Sequence, residues 1–373
     1  MTASTINNRQ DLIKYLDSAL VLEHATIPPY LTAYYSIHST TNSDAAHIVR
    51  VVAVEEMLHL TLVANVMNAI GGTPDLTRAG FVPDYPTYLP DGEQDFTIDL
   101  RPFTQEAVET FCNIERPGKP KEGEPRLMAL TATAADRPLL VTSPTEPSLR
   151  FYSIGEFYEE IIEGLEEVAA ADPDLFNGDP ALQVGPEYFY SGGGTVIPVT
   201  DLESARKALH LIAAQGEGLD SGIWDGDGEL AHFYRFRQLQ LGRYYELGDS
   251  PERPTGTSLS VDWDAVYNVK VSAKLADYEA GSELAGVVRD FNTDYADFLA
   301  LLTQAFNGTP SLLEDAVWHM FRMRDAFNRL VRNPLPGSDG LHAAPTFEIP
   351  AGADLDAARA ARRTSITAGA VAR

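Results

Sequence analysis

Glu56-Met57-Leu58-His59 and Glu229-Leu230-Ala231-His232 share one spacing, Glu-x-x-His. Residues three apart on a helix lie on one face, so a glutamate and a histidine so placed can grip one metal ion. Two such pairs, joined by single glutamates from other helices, are how helix bundles build carboxylate-bridged pairs of iron or manganese ions. Glu23 is a third candidate. It falls on the stripe formed by Leu12, Leu16, Ala19, Ile27 and Tyr30, the apolar side of its segment. A carboxylate buried there is costly unless it is paired or bound to metal. A buried tyrosine or arginine is the other way to satisfy it.

The segment around Glu56 is apolar nearly all round, with Val51, Val52, Val54, Met57, Leu58, Leu62 and Val63. A helix of that kind is buried on most sides, yet this one carries Glu55, Glu56 and His59. Glu56 and His59 have the ligand spacing. Glu55 is either a substitute ligand or an acceptor for the imidazole N–H behind the metal. From Ser153 onward the apolar face is Ile154, Phe157, Tyr158, Ile161, Leu165 and Val168. Glu156, Glu159, Glu160, Glu163, Glu166 and Glu167 lie mostly opposite, as a solvated acidic face would. One of them is needed to complete a bundle site, and periodicity does not select it. Glu217 closes the next helix at the edge of its apolar stripe, among small residues in Gln215-Gly216-Glu217-Gly218. His232 shares a face with Phe236 and Leu239, and Glu229 with Phe233 and Phe236, so Glu229 competes with Glu217. The set amounts to carboxylates and two imidazoles without thiolate. Those donors suit iron or manganese and argue against a structural zinc site.

These residues need helices to hold them. Asn8 can cap a helix over 9–38, which Pro28-Pro29 should kink or end. A second helix runs from Ser43-Asp44 to Ala69-Ile70, stopped by Gly71-Gly72-Thr73-Pro74. Residues 72–152 are rich in proline and aromatic residues and read as a long excursion from the bundle. Within it lie strand-like pieces at Phe96–Leu100 and Leu139–Thr142, a short helix over Thr104–Ile114, and an exposed loop at Glu115–Pro125. Ser153-x-x-Glu156 is a capping box for a helix to about Ala171. A loop with Gly192-Gly193-Gly194 and a short strand at Thr195–Val199 follows. Asp201 caps a helix to about Gly218, and another runs from Glu229 to about Gly242. The expected organisation is a bundle over 1–245, a linker over 246–262, an α-helical hairpin over 263–335 and a loop with a mobile tail over 336–373. Helices at 263–306 and 311–332 would form that hairpin, turning at Asn307-Gly308-Thr309-Pro310. The class is mainly α.

Composition narrows the functions. The 373 residues carry 28 Lys+Arg against 54 Asp+Glu, a net charge of −26. That argues against a nucleic-acid partner, since phosphate binding needs a basic face, and it disfavours an anionic membrane surface. Cys112 is the only cysteine, so no internal disulfide and no thiolate cluster can form. No apolar leader and no membrane-length apolar run is visible. The expectation is a soluble cytoplasmic protein; a homo-oligomer is compatible.

Leu22-Glu-His-Ala-Thr-Ile-Pro-Pro-Tyr-Leu31, Val54-Glu-Glu-Met-Leu-His59 and Asn68-Ala-Ile-Gly-Gly-Thr-Pro74 together resemble bacterial ferritin-like proteins of the iminophenyl-pyruvate dimer synthase type. So do Ser153-Ile-Gly-Glu-Phe-Tyr158, Gln215-Gly-Glu-Gly218 and Glu229-Leu-Ala-His-Phe-Tyr-Arg-Phe236. The likeness covers roughly residues 10–245. It implies a ferritin-like bundle with metal ligands at Glu23, Glu56, His59, Glu156, Glu217 and His232. Glu156 then conflicts with the periodicity, unless its helix and the next meet at the site by their ends. Members occur in violacein and rebeccamycin pathways, in chains that can be much longer, so bisindole chemistry is not carried over. The expected function is a di-iron, or di-manganese, oxidase or oxygenase that takes O₂ and a small organic substrate in secondary metabolism. The excursion, with Phe81, Tyr85, Tyr88 and Phe96, would cap a substrate pocket. The rival readings are an iron-handling ferroxidase or storage protein and a metal-free binding module.

Overall fold

The computed structural model describes residues 6–38, 40–90, 95–118, 151, 153–189, 192–219, 222–352 and 355. Eight α-helices follow in order among them: α1 (Arg9–Ser36), α2 (Ser43–Ala69), α3 (Gln105–Ile114), α4 (Ile154–Ala171), α5 (Leu202–Glu217), α6 (His232–Leu241), α7 (Glu283–Ala305) and α8 (Leu312–Val331). Three single 3-10 turns punctuate the connections. No helix among the described residues is long and apolar enough to cross a membrane.

α1 and α2 pack along each other as a hairpin, and α4 lies on α5 while α3 lies on α6. The α1/α2 pair is the spine, and α2 also touches α5 and α6. Asn8 caps α1 by accepting the Asp11 N–H at 3.0 Å. The helix then runs unbroken through Pro28 and Pro29, against the expectation of a kink or an end. Two prolines leave the carbonyls of His24 and Ala25 without their N–H donors. The hydroxyl of Tyr85 donates to the Ala25 carbonyl at 2.8 Å and replaces one of them.

The excursion after α2 is irregular. Its expected strand at Phe96–Leu100 makes only an isolated antiparallel bridge, Thr87 to Ile98; Leu139–Thr142 lies outside the described residues. Nor does Thr195–Val199 pair as a strand. Side-chain amides take its backbone instead: Gln183 bonds both the N–H and the carbonyl of Val199, at 2.7 and 2.6 Å, and Asn65 bonds the Ile197 carbonyl at 3.2 Å. Phe81 and Tyr85 are fully buried under α1, so they are spent on packing rather than on a pocket over the site.

α7 and α8 pack against each other, and the expected helix from 263 begins only at Glu283, so 263–282 is not part of α7. Its backbone is tied elsewhere: Tyr267 N–H bonds the Ser36 carbonyl at 2.8 Å, Lys270 N–H that of His342 at 3.0 Å, and Ser272 N–H that of Leu100 at 2.8 Å. Ser282 then caps α7. α7 and α8 close over the spine, with Tyr35 against Phe327 and Asn68 bonding the Phe306 carbonyl at 2.6 Å. Fully burying a side chain such as Phe291 or Phe327 is worth about 1.5–3 kcal/mol, so this hairpin is an integral layer.

Candidate metal centre

Four helices deliver the cluster. Glu23 projects from α1, and Glu56 and His59 from adjacent turns of α2. Glu115 is the C-cap of α3, and His232 is the first residue of α6. None of the five is more than 3% exposed.

Their ligand atoms form two triads that share one residue: Glu23, Glu56 and His59, and Glu56, Glu115 and His232. His59 Nδ1 lies 3.2 Å from Glu23 Oε2 and 3.6 Å from Glu56 Oε2. His232 Nδ1 lies 3.0 Å from Glu56 Oε1 and 3.5 Å from Glu115 Oε2. Glu56 thus turns one oxygen to each imidazole, which is the disposition of a bridging carboxylate. The imidazole rings stack with centroids 5.4 Å apart.

A second ring of residues fixes these groups from behind. Gln215 Oε1 meets His59 Nε2 at 2.9 Å and is itself held, through Nε2, on the Gly193 carbonyl at 2.7 Å. Gly193 has φ +76°, and a Cβ there would fall 2.5 Å from Glu55 Cγ, so only glycine brings that carbonyl so close. On the other side, Glu55 Oε2 meets His232 Nε2 at 2.8 Å, and its Oε1 pairs with Arg235 at 3.2 Å. The hydroxyl of Tyr158 donates to Glu23 Oε1, and that of Tyr30 to Glu115 Oε1. Both imidazoles therefore point Nδ1 inward and anchor Nε2 outward, as metal-ligating histidines do.

Electrostatics show a site short of positive charge. Among the described residues, Glu23, Glu55, Glu56 and Glu115 are buried around one guanidinium, Arg235. Burial raises Glu23, against the pull of His59, and burial with the Glu56 charge raises Glu115. Burial also opposes ionisation of Glu56, but His232 and His59 outweigh it and hold the carboxyl well below its ordinary range. Burial likewise works against charging His59, yet Glu23 and Glu56 push it up to about 10; Glu115, Glu55 and Glu56 raise His232 well above its ordinary value against the same penalty. Without metal, protons fill the deficit. His232 Nδ1 makes no well-aligned hydrogen bond despite two carboxylate oxygens within reach. Once that nitrogen gives up its proton it is a donor aimed into the space between carboxylates, and the set of oxygen and imidazole donors is compatible with metal binding.

The structure brings Glu23, Glu56, His59 and His232 together, and it sets Glu156 and Glu217 apart from both triads. Glu156 is half-buried in the first turn of α4, where its N–H bonds Ser153 Oγ at 3.2 Å. Glu217 accepts the N–H groups of Gly118 and Gly155 at 2.9 and 2.5 Å, clasping the chain after α3 to the start of α4. A Cβ on Gly155 would meet that carboxylate at 2.6 Å. Burial raises Glu217 to about 7 despite those donors. Glu229 precedes α6 and points outward, paired with Arg235 at 2.7 Å and 61% exposed, so the second Glu-x-x-His is not a chelating pair on a helix. On α4, Glu159 and Glu163 are exposed and Glu160 is buried outside both triads, while Glu55 of α2 takes the outer position behind His232. Glu115 belongs to the cluster although the sequence suggested an exposed loop. Its signal was present: it stands four residues after Phe111 and seven after Val108, on the buried stripe of α3.

Residues 16–241 match the family model described as Ferritin-like. The chain belongs to this family. It is 25% identical to dichlorochromopyrrolate synthase of Lentzea aerocolonigenes, in an alignment covering 93% of this chain and 37% of that protein. The chain thus spans little more than a third of that relative. The crystal structure of a ferritin-like protein from Caulobacter vibrioides superposes with a TM-score of 0.58 at 23% identity, covering 90% of this chain and 97% of that one.

Proposed function

We propose that this ferritin-like chain is a metal-dependent oxidoreductase of the oxidase or oxygenase kind. It would hold two iron ions, or two manganese ions in their place, and act on a small organic molecule. The observation that carries this reading is Glu56, one oxygen toward each imidazole, with a separate carboxylate at either end. Bound metals would supply Lewis acidity and one-electron redox capacity for O₂-dependent chemistry. The residues of this chain do the rest. Glu23 and His59 would hold one ion and Glu115 and His232 the other, with Glu56 between them. Tyr158 and Tyr30 keep the outer oxygens of Glu23 and Glu115 from rotating. Gln215 and Glu55 fix which imidazole nitrogen faces inward. The closed packing around these groups keeps bulk water from the cluster.

The name of the relative from Lentzea, a synthase, supports placing the chain in biosynthesis. The long excursion and the added α7/α8 layer favour this over a storage role, which needs compact identical bundles. Elemental analysis of protein purified without added metal tests the reading. About two iron or manganese ions per chain are expected. Less than about one, with no uptake on anaerobic reconstitution, overturns it. Aerobic Fe(II) titration then separates the two roles: an oxygenase consumes O₂ with an organic co-substrate, whereas a storage protein accumulates mineral.

A further inference from the structure

A cavity of about 250 Å³ lies between the α1/α2 spine and the α7/α8 hairpin. None of the five cluster residues lines it. Its walls come from neighbouring positions of the same two helices, such as Ile27, Leu31 and Leu60, and from Phe298 and Met320 on the hairpin, with Tyr188 and Phe189 closing one side. Among the buried polar side chains on this wall, His24 carries an unpartnered atom. His24, 3% exposed, meets the Tyr295 hydroxyl through Nε2 at 2.7 Å, and its Nδ1 has no hydrogen-bond partner among the described residues. Buried polar atoms are rarely left so.

We propose that this cavity is a binding site for a neutral, flat aromatic molecule of one or two fused rings, held by a hydrogen bond to His24 Nδ1. Size sets the ring count: an engineered cavity of about 150 Å³ holds a benzene, and this one is larger. Wall chemistry sets the class, because aromatic side chains gain by stacking or edge contact with another ring. Charge sets neutrality. Glu314 and Arg324 both line the cavity, one of each sign, so neither a cation nor an anion is favoured. The hairpin supplies half the site, which gives the C-terminal helices a role beyond the bundle. α8 forms its outer wall, where Val317 is 42% exposed beside the exposed Trp318 and Phe321.

This site does not rest on the metal chemistry, so the test uses the full chain stripped of metal by chelation. Calorimetric titration with 1-naphthol, naphthalene and 1-octanol reads the site directly. One 1-naphthol per chain is expected, bound more tightly than 1-octanol. His24→Phe should weaken 1-naphthol about fivefold, the weight of one neutral hydrogen bond, and leave naphthalene within about twofold. Val317→Trp, a change on the exposed side of α8, should weaken both aromatic probes more than about tenfold by filling the mouth. That second variant keeps the test decisive if His24→Phe does not fold. The proposal is overturned by no saturable 1-naphthol binding below about 1 mM, by tighter binding of 1-octanol, by indifference to Val317→Trp, or by equal losses of both aromatic probes in His24→Phe.

Discussion

The two halves of the cluster are built alike and anchored differently. Each has one imidazole, one terminal carboxylate held by a tyrosine, and one oxygen of Glu56. Behind His59 stands a neutral amide, Gln215; behind His232 stands a carboxylate, Glu55, backed by Arg235. A carboxylate partner makes an imidazole a more basic donor than an amide does. The His232 half should therefore bind its ion more tightly, and the His59 half should be the exchangeable one. Near-symmetry in the ligands thus hides an asymmetry one layer further out.

The largest effect should come from removing what the halves share. Glu56→Ala takes one donor from each ion and leaves two carboxylates and two imidazoles without a bridge. Metal content should fall from about two ions per chain to fewer than about 0.5 by elemental analysis. If Glu56→Ala keeps both ions, the bridging role is wrong and the halves are separate sites. Next in size are His59→Ala and His232→Ala. Each should leave about one ion per chain, and the ion retained in His59→Ala should resist chelator longer than that retained in His232→Ala. Equal chelator kinetics would erase the asymmetry.

How much of this could be read from the chain depended on where each residue stood. Glu23, Glu56 and His59 were legible because they sit inside long helices, where a charged residue on an apolar stripe stands out. The helices themselves were legible for the same reason, Pro28-Pro29 excepted, since no local rule announces that Tyr85 will serve the freed Ala25 carbonyl. Glu115 and Glu217 occupy helix ends, where the next residues are loop and polarity looks ordinary. Their burial is decided by packing between distant segments. Glu229 failed in the opposite sense: its Glu-x-x-His spacing is right, but the helix begins only at His232. Strand-like runs such as Thr195–Val199 misled because their backbone partners are the side chains of Gln183 and Asn65.

A subtler comparison sets the two anchors against each other. Glu55→Gln keeps the shape of the outer partner of His232 but removes its charge. It should weaken the tighter ion about 10–100-fold. Gln215→Leu on the other half removes only a neutral acceptor and should cost less. Equilibrium dialysis with Mn(II) reads both. A greater loss from Gln215→Leu would reverse the assignment of which half is strong. Glu55→Gln also removes one of the two carboxylates paired with Arg235, so Arg235→Met beside it separates lost basicity from a weakened ion pair.

The smallest expected effect concerns a carboxylate beside the halves rather than in them. Burial raises Glu217 from 4.5 to about 7. A raised folded value means that the native state holds this proton to higher pH than the unfolded chain does. The stability it contributes is complete below about 4.5, declines between that value and about 7, and is gone above. His59, raised to about 10, works in the same direction in the metal-free protein, its contribution fading as pH climbs through that value. Metal-free protein should therefore melt at higher temperature at pH 5.5 than at pH 8. Glu217→Gln cannot ionise, so relative to wild type it should gain a few degrees on moving from pH 5.5 to pH 8. Bound metal acts in the opposite sense, since it replaces the protons on His59 and His232. The rise in melting temperature on adding Mn(II) should grow with pH in both proteins. If the Glu217→Gln and wild-type melting curves run parallel across this range, Glu217 is ionised throughout and its two backbone donors outweigh its burial. If Glu217→Gln instead loses metal, it reaches the cluster after all, and the boundary drawn between the triads and their surroundings must move.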